Sequence, residues 1–298
     1  MSRESRIRAL KSKKNAIVLA HNYQLPEIQD VSDIVGDSLE LAMAAKETDA
    51  DIIVFCGVSF MAETAKILNP SKKVLLPVKE AGCPLADQLT PDMLKEARNA
   101  NPGAMVVLYI NSTAECKAYA DVICTSANAV KVVRSLPTRE VIVGPDSNLA
   151  AYIQDQIPEK RIIPVPPSGH CPVHQVFTDA DIRAARLRGG KIICHPECRP
   201  EIQKQSDIVA STGGMIRNAP IADLWNVFTE KEMGYRLKTL YPDKTFHTKE
   251  SAVCEDMKRI TLAELEVSLE DEIYEVALPE EVMKRALGAI EKMILVGR

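Results

Sequence analysis

Short apolar runs alternate with amphipathic stretches along the chain, and the alternation repeats. In the first hundred residues, apolar runs near 16–20, 33–35, 52–55 and 74–76 read as strands. Helical patterns cover about 26–31, 38–48, 59–69 and 90–100. The strands are near-continuous Val, Ile and Leu, as expected for parallel strands covered on both faces. Strand–helix alternation of this kind gives a three-layer αβα unit with right-handed crossovers.

Three landmarks recur in register. The apolar runs ending at His21-Asn22-Tyr23, Tyr109-Ile110-Asn111 and His195-Pro196-Glu197 are 88 and 86 residues apart. Ser32-Asp33-Ile34-Val35, Ala120-Asp121-Val122-Ile123 and Ser206-Asp207-Ile208-Val209 keep the same steps. Cys83, Cys171 and Cys254 lie 88 and 83 residues apart, and each is followed seven residues later by a threonine, Thr90, Thr178 or Thr261. Each threonine precedes a helical pattern and reads as its N-cap. The expected fold is α/β, three pseudo-symmetric αβα domains around a central site. Their expected limits are 1–100 (completed by 273–298), 101–188 and 189–272. The tail 274–278 reads as a strand followed by a helix over 279–293.

Composition narrows the function classes. The 298 residues are 46% apolar and 26% charged with net charge −4, which gives no global attraction to nucleic acid or anionic membrane. The basic N-terminus reads as a solvated helix. No apolar run reaches membrane-spanning length and no signal-peptide core follows the start, so a cytoplasmic location is expected. Eight cysteines in a reducing compartment point to buried thiols, redox groups or metal ligands. With aromatics at 4%, base stacking is a weak model.

Ligands of parallel sheets bind beyond the carboxyl ends of the strands. If the three units pack around one axis, His21, Tyr23, Tyr109, Asn111, His195 and Glu197 enter a common cavity. Three separate surface loops are the alternative. The helix starts after Gly36-Asp37-Ser38, Cys124-Thr125-Ser126 and Ser211-Thr212 offer N–H groups and a positive dipole end to anionic substrate groups. One loop cysteine per unit gives three thiolates, which suit zinc with an open position or a [4Fe–4S] cluster with one iron lacking a protein ligand. Cys56, Cys124 and Cys194 read as core thiols, and Cys116 and Cys198 take no ligand role. His174, three residues after Cys171, reads as substrate-facing. His170 and His247 read as structural or exposed.

These segments, together with Gly169-His170-Cys171-Pro172-Val173-His174-Gln175 and His195-Pro196-Glu197-Cys198, resemble the quinolinate synthase family over essentially the whole chain. The resemblance implies three αβα domains around a [4Fe–4S] cluster with three cysteine ligands and one open iron. It implies condensation of iminoaspartate with dihydroxyacetone phosphate to quinolinate, releasing phosphate and water, in de novo NAD biosynthesis. A functional link to an enzyme that makes iminoaspartate follows from such a pathway. Near the ligands, Ala81-Gly82-Cys83-Pro84-Leu85 and Cys254-Glu255-Asp256-Met257-Lys258 depart from the family pattern without removing a cysteine.

On that reading Cys83, Cys171 and Cys254 hold the cluster, and its open iron acts as a Lewis acid. Glu197 and His195 are the principal acid/base groups, with Tyr23 and Tyr109 exchanging protons at hydroxyls. His21, Asn111 and His174 position substrate, and Ser38, Ser126, Ser211 and Thr212 bind its carboxylate or phosphate groups. Other readings are a different three-cysteine [4Fe–4S] enzyme of similar architecture, or a zinc-stabilised polyanion-binding protein.

Overall fold

The protein is described by a computed structural model over residues 2–297. Met1 and Arg298, the outer limits expected for the first unit, lie outside the described residues. Each repeat forms one four-stranded parallel sheet. The first sheet contains β1 (Ala16–His21), β2 (Ile34–Gly36), β3 (Ile52–Cys56) and β4 (Lys73–Leu75). The second contains β5 (Met105–Tyr109), β6 (Val122–Cys124), β7 (Glu140–Gly144) and β8 (Arg161–Pro164). The third contains β9 (Lys191–Cys194), β10 (Ile208–Val209), β11 (Leu224–Phe228) and β12 (Thr245–His247). In all three the first strand lies between the second and the third, and the fourth borders the third.

This order puts β1, β5 and β9 at the point where connections leave in opposite directions, which opens a crevice at their carboxyl ends. The strands are covered because they are apolar on both faces: Val18, Leu19, Ile53, Val106, Val107, Ile142 and Ile192 are fully buried.

A charged latch recurs at the opposite end of each first strand. Val18 N–H donates to Asp33 at 2.8 Å, Val106 N–H to Asp121 at 2.7 Å and Ile192 N–H to Asp207 at 2.7 Å. The N–H of each aspartate donates back to the carbonyl of the same strand residue. A base from the preceding helix closes each latch: Lys11 on Asp33, Arg98 on Asp121 and Arg186 on Asp207. These aspartates, found as repeat landmarks, hold strand ends together.

Helix starts follow local chemistry. Asp37 accepts from the N–H of Leu39 and Glu40, and Glu40 reaches back to the Asp37 N–H, closing a capping box on the helix Ser38–Glu47. Thr90 caps Pro91–Ala100 through the Met93 N–H. Thr178 donates its N–H to Asp181, and Thr261 donates its N–H to Glu264.

Some helices pack on the neighbouring unit. Ile182 and Ala185 of the helix Asp179–Arg188 join Ile192 and Cys194 in a third-unit core. Leu265 and Leu269 of the helix Leu262–Asp271 join the core of the first two sheets, and Glu266 pairs with Arg3 and Arg6. The limits expected at 188 and 272 therefore follow helices that pack on the next unit. The basic N-terminal helix Arg3–Lys13 is partly anchored by these pairs.

The tail departs from expectation. Residues 274–278 form no strand, only an isolated antiparallel bridge from Glu275 to Leu75. Tyr274 takes a φ of 61°, which breaks an extended run at its start. The last helix spans Glu280–Gly297 and ties the first unit to the second: Glu291 pairs with Lys46, and the Met293 carbonyl accepts from Asn128. Among the described residues no helix is long and apolar enough to cross a membrane.

Candidate active site

The carboxyl ends of β1, β5 and β9 meet at one cavity. The cavity has a volume of about 60 Å³. A space so narrow suits a small ligand rather than a polymer. His21, Tyr23, Ser38 and Cys83 reach it from the first unit, Tyr109, Asn111, Ser126, Cys171 and His174 from the second, and His195, Glu197, Thr212 and Cys254 from the third. Ser211 does not line it. Its hydroxyl caps the next helix by accepting from the Gly214 N–H and donates to Asp37 at 3.4 Å.

Glu197 is the hub. Tyr109 donates to its Oε1 at 2.5 Å, with Asn111 Nδ2 at 3.5 Å from the same oxygen. His174 Nδ1 lies 2.9 Å from Oε2 and His195 Nδ1 3.8 Å from Oε1. Burial opposes ionisation of this carboxyl, but the two imidazoles and the Tyr109 hydroxyl outweigh it and hold its pKa well below the usual range. An acid/base role is expected of Glu197 from its place after the apolar run 192–194. The structure gives a resting carboxylate.

Two histidines are fixed by the same local device. Tyr23 N–H donates to His21 Nδ1 at 3.2 Å, and Glu197 N–H donates to His195 Nδ1 at 3.3 Å. An Nδ1 that accepts leaves the proton on Nε2 of a neutral ring. Burial pushes both imidazoles down to about 3, against the attraction of Glu197. Neutral His195 therefore presents an Nε2–H donor, 3.2 Å from Ser126 Oγ. Burial also raises the Tyr23 and Tyr109 phenols well above their ordinary range, so both are neutral donors.

Thr229 was missed from sequence. Its hydroxyl bonds Tyr23 and, at 2.9 Å, His174 Nε2. It directly follows β11, so the strand-end rule applied to third strands as well as first strands would have found it. A second omission is the ion pair of buried Glu230 with partly buried Lys258, 2.8 Å apart. Lys258 also donates to the Tyr23 carbonyl, while Glu230 accepts from the Cys254 N–H at 3.4 Å. It ties a cysteine loop of the third unit to the tyrosine of the first.

The anion reading at helix starts also changes. Asp37 and Ser211 occupy the first-turn N–H groups of Leu39, Glu40 and Gly214, and Thr212 Oγ1 accepts from Asn22 at 2.9 Å. Asp37 itself lines the cavity.

The three loop cysteines are partly buried and reach the cavity together. Burial pushes the thiol of Cys83 up to about 12, that of Cys254 to about 11, and that of Cys171 well above its usual value. The backbone N–H three residues on (Ala86, His174 or Met257) faces each sulfur and favours its ionised form. Gly169 sets the Cys171 loop: a Cβ there would lie 2.0 Å from the Pro145 carbonyl oxygen. Among the described residues, the set of three Cys, His, Asp or Glu donors lying within 4.8 Å of one another is Cys171, His174 and Glu197. The three sulfurs are therefore not all that close. Two thiolates on one zinc, with bonds of about 2.3 Å, stand only about 3.8 Å apart.

The remaining cysteines are buried: Cys56, Cys116, Cys124, Cys194 and Cys198. His170 is exposed, with Nδ1 2.8 Å from the Ser168 carbonyl.

The family model described as Quinolinate synthetase A protein matches residues 5–295. A Pyrococcus furiosus protein named quinolinate synthase is 57% identical over 291 residues, covering 97% of this chain and 96% of the relative. One from Pyrococcus abyssi is 55% identical over 288 residues, 96% of each chain. One from Thermotoga maritima is 48% identical over 289 residues, covering 95% and 96%.

Proposed function

Since the chain belongs to the quinolinate synthetase A family, we propose that it is a cytoplasmic quinolinate synthase of de novo NAD biosynthesis. It condenses iminoaspartate with dihydroxyacetone phosphate, releasing phosphate and water. The observation that carries the reading is one thiol from each repeat at the cavity that also holds the Glu197 network. One thiolate from each unit is a donor set that suits a [4Fe–4S] group with one iron free of protein ligands. Cys83, Cys171 and Cys254 would hold it, and it would supply Lewis-acid chemistry.

The chain's own residues divide the remaining work. Glu197, held ionised, accepts a proton from the carbon or nitrogen acid of the substrate, with Tyr109 and Asn111 fixing its Oε1. His195 donates from Nε2 to a developing oxyanion, and Ser126 orients that proton. Tyr23 passes a proton along the hydroxyl chain through Thr229 to His174. His21, Ser38 and Thr212 steer the substrate's anionic groups, and Ser211 acts indirectly by fixing the helix start behind Thr212. Apolar walls from Phe60, Met61 and Met257 exclude water.

The test is an anaerobic preparation given an iminoaspartate source and dihydroxyacetone phosphate. Quinolinate should form only when iron and acid-labile sulfide are present. A colourless, zinc-containing protein without quinolinate production would sink the reading.

A further inference from the structure

Cys171, His174 and Glu197 present donors within 4.8 Å of one another, and the reaction above leaves one of those donors unused. His174 is 1% exposed and Glu197 3%. Thr229 engages the ring at Nε2. Nδ1 lies 2.9 Å from Glu197 Oε2, yet it lacks the alignment of a hydrogen bond and has no other partner. A buried ring nitrogen without an aligned partner, beside a carboxylate oxygen and a thiol, is a donor set for a borderline-soft divalent ion. The Thr229 hydroxyl holds the far side of the imidazole, as an outer-shell group orients a ligating histidine.

We propose that the chain lacking its iron–sulfur group binds one divalent cation of the zinc class on Cys171, His174 and Glu197, and that this ion excludes the group because both need Cys171. The fourth position opens on the cavity and takes water. Binding displaces the Cys171 thiol proton to solvent and changes no oxidation state. The metal site stands on the geometry alone. Only the competition rests on the function proposed above.

The full chain, prepared anaerobically and stripped with a chelator, is titrated with cobalt(II) as a spectroscopic substitute for zinc. One equivalent should bind per chain, with the tetrahedral spectrum and charge-transfer intensity of one thiolate. His174→Ala and Glu197→Gln should each weaken binding by at least about tenfold, whereas Cys83→Ser and Cys254→Ser leave it unchanged. If either variant fails to fold by circular dichroism, the other carries the same reading. Absence of cobalt binding overturns the proposal. So does three-thiolate intensity, or loss of the signal in Cys83→Ser or Cys254→Ser.

In a second arm, one equivalent of zinc is added before iron and sulfide. It should slow growth of the visible iron–sulfur absorbance in the wild-type chain and leave assembly in His174→Ala unaffected; equal slowing in both overturns the proposal. If no absorbance develops even without zinc, the function proposed above fails, while the cobalt titration still decides the metal site.

Discussion

The two ends of each sheet obey different rules. Where the first strand begins, the three copies are interchangeable: an aspartate exchanges backbone hydrogen bonds with the strand and is closed by a base from the preceding helix. Where that strand finishes, the backbone course repeats but the side chains do not. His21 and Tyr23, Tyr109 and Asn111, and His195 and Glu197 occupy equivalent positions with different chemistry. A partial echo survives, because His21 and His195 both accept at Nδ1 from the N–H two residues on. Sameness across copies marks what every unit needs to fold. Divergence at a repeated position marks what only the assembled cavity needs.

Substitutions at the two ends should therefore separate catalysis from stability. The largest effect is expected at the diverged end. Glu197→Gln should lower turnover by roughly 10²–10⁴-fold, about 3–5 kcal/mol in barrier, while the visible absorbance of a reconstituted protein stays near wild type. Turnover within about threefold of wild type would break the contrast.

The next effect concerns pH. His195 has a folded value of about 3 against an ordinary 6.5, so the unfolded chain takes up its proton first as pH falls. The stability this neutral ring preserves is present above pH 6.5 and is lost as pH falls towards 3. Replacing it with glutamine should flatten the fall in unfolding free energy by about 1.4 kcal/mol per pH unit between roughly pH 6 and 4. Parallel denaturant-derived curves for the two proteins would contradict the buried neutral assignment.

At the repeated end, Asp121→Ala strands the Val106 N–H and the Arg98 partner, and should cost about 2–3 kcal/mol of stability. Its kcat, measured on folded protein, should stay within about twofold. The smallest effect belongs to neither end. Glu272 is drawn down to about 2 by hydrogen bonds from Lys14 and Lys73 on the surface. Glu272→Gln should cost less than about 1 kcal/mol above pH 4.5, with the difference fading as pH drops towards 2. A larger loss would show that the tail near Tyr274 contributes more than its single bridge indicates.

The fold was legible because each strand is short, apolar and bounded. The expected runs at 16–20, 52–55 and 74–76 lie within a residue or so of β1, β3 and β4. The tail misled because Val276, Ala277 and Leu278 have strand-like composition, while the left-handed Tyr274 at their edge carries no sequence signal of its own. At the site, the residues seen in advance stand at first-strand ends, at helix starts after the second strands and in the cysteine loops. Thr229 escaped because a lone threonine after an apolar run looks like many others. The Glu230–Lys258 pair escaped because its partners are 28 residues apart in sequence and meet only after folding. The state of Glu197 was also out of reach: its sign depends on His174, His195 and Tyr109 converging from two units.

The placement of all three units in one continuous chain has a consequence for diversity. A ring of three identical subunits offers every position around its axis in triplicate, so a carboxylate at the hub would face two more carboxylates, each repelling the others. Covalent continuity lifts that degeneracy. One glutamate can face a phenol and two imidazoles at positions that a symmetric trimer would have to fill alike. Among the residues that line the cavity, cysteine is kept at its repeated place in all three thirds. Holding one group on the axis, the role proposed for them above, is a task for which three copies of the same donor are an advantage.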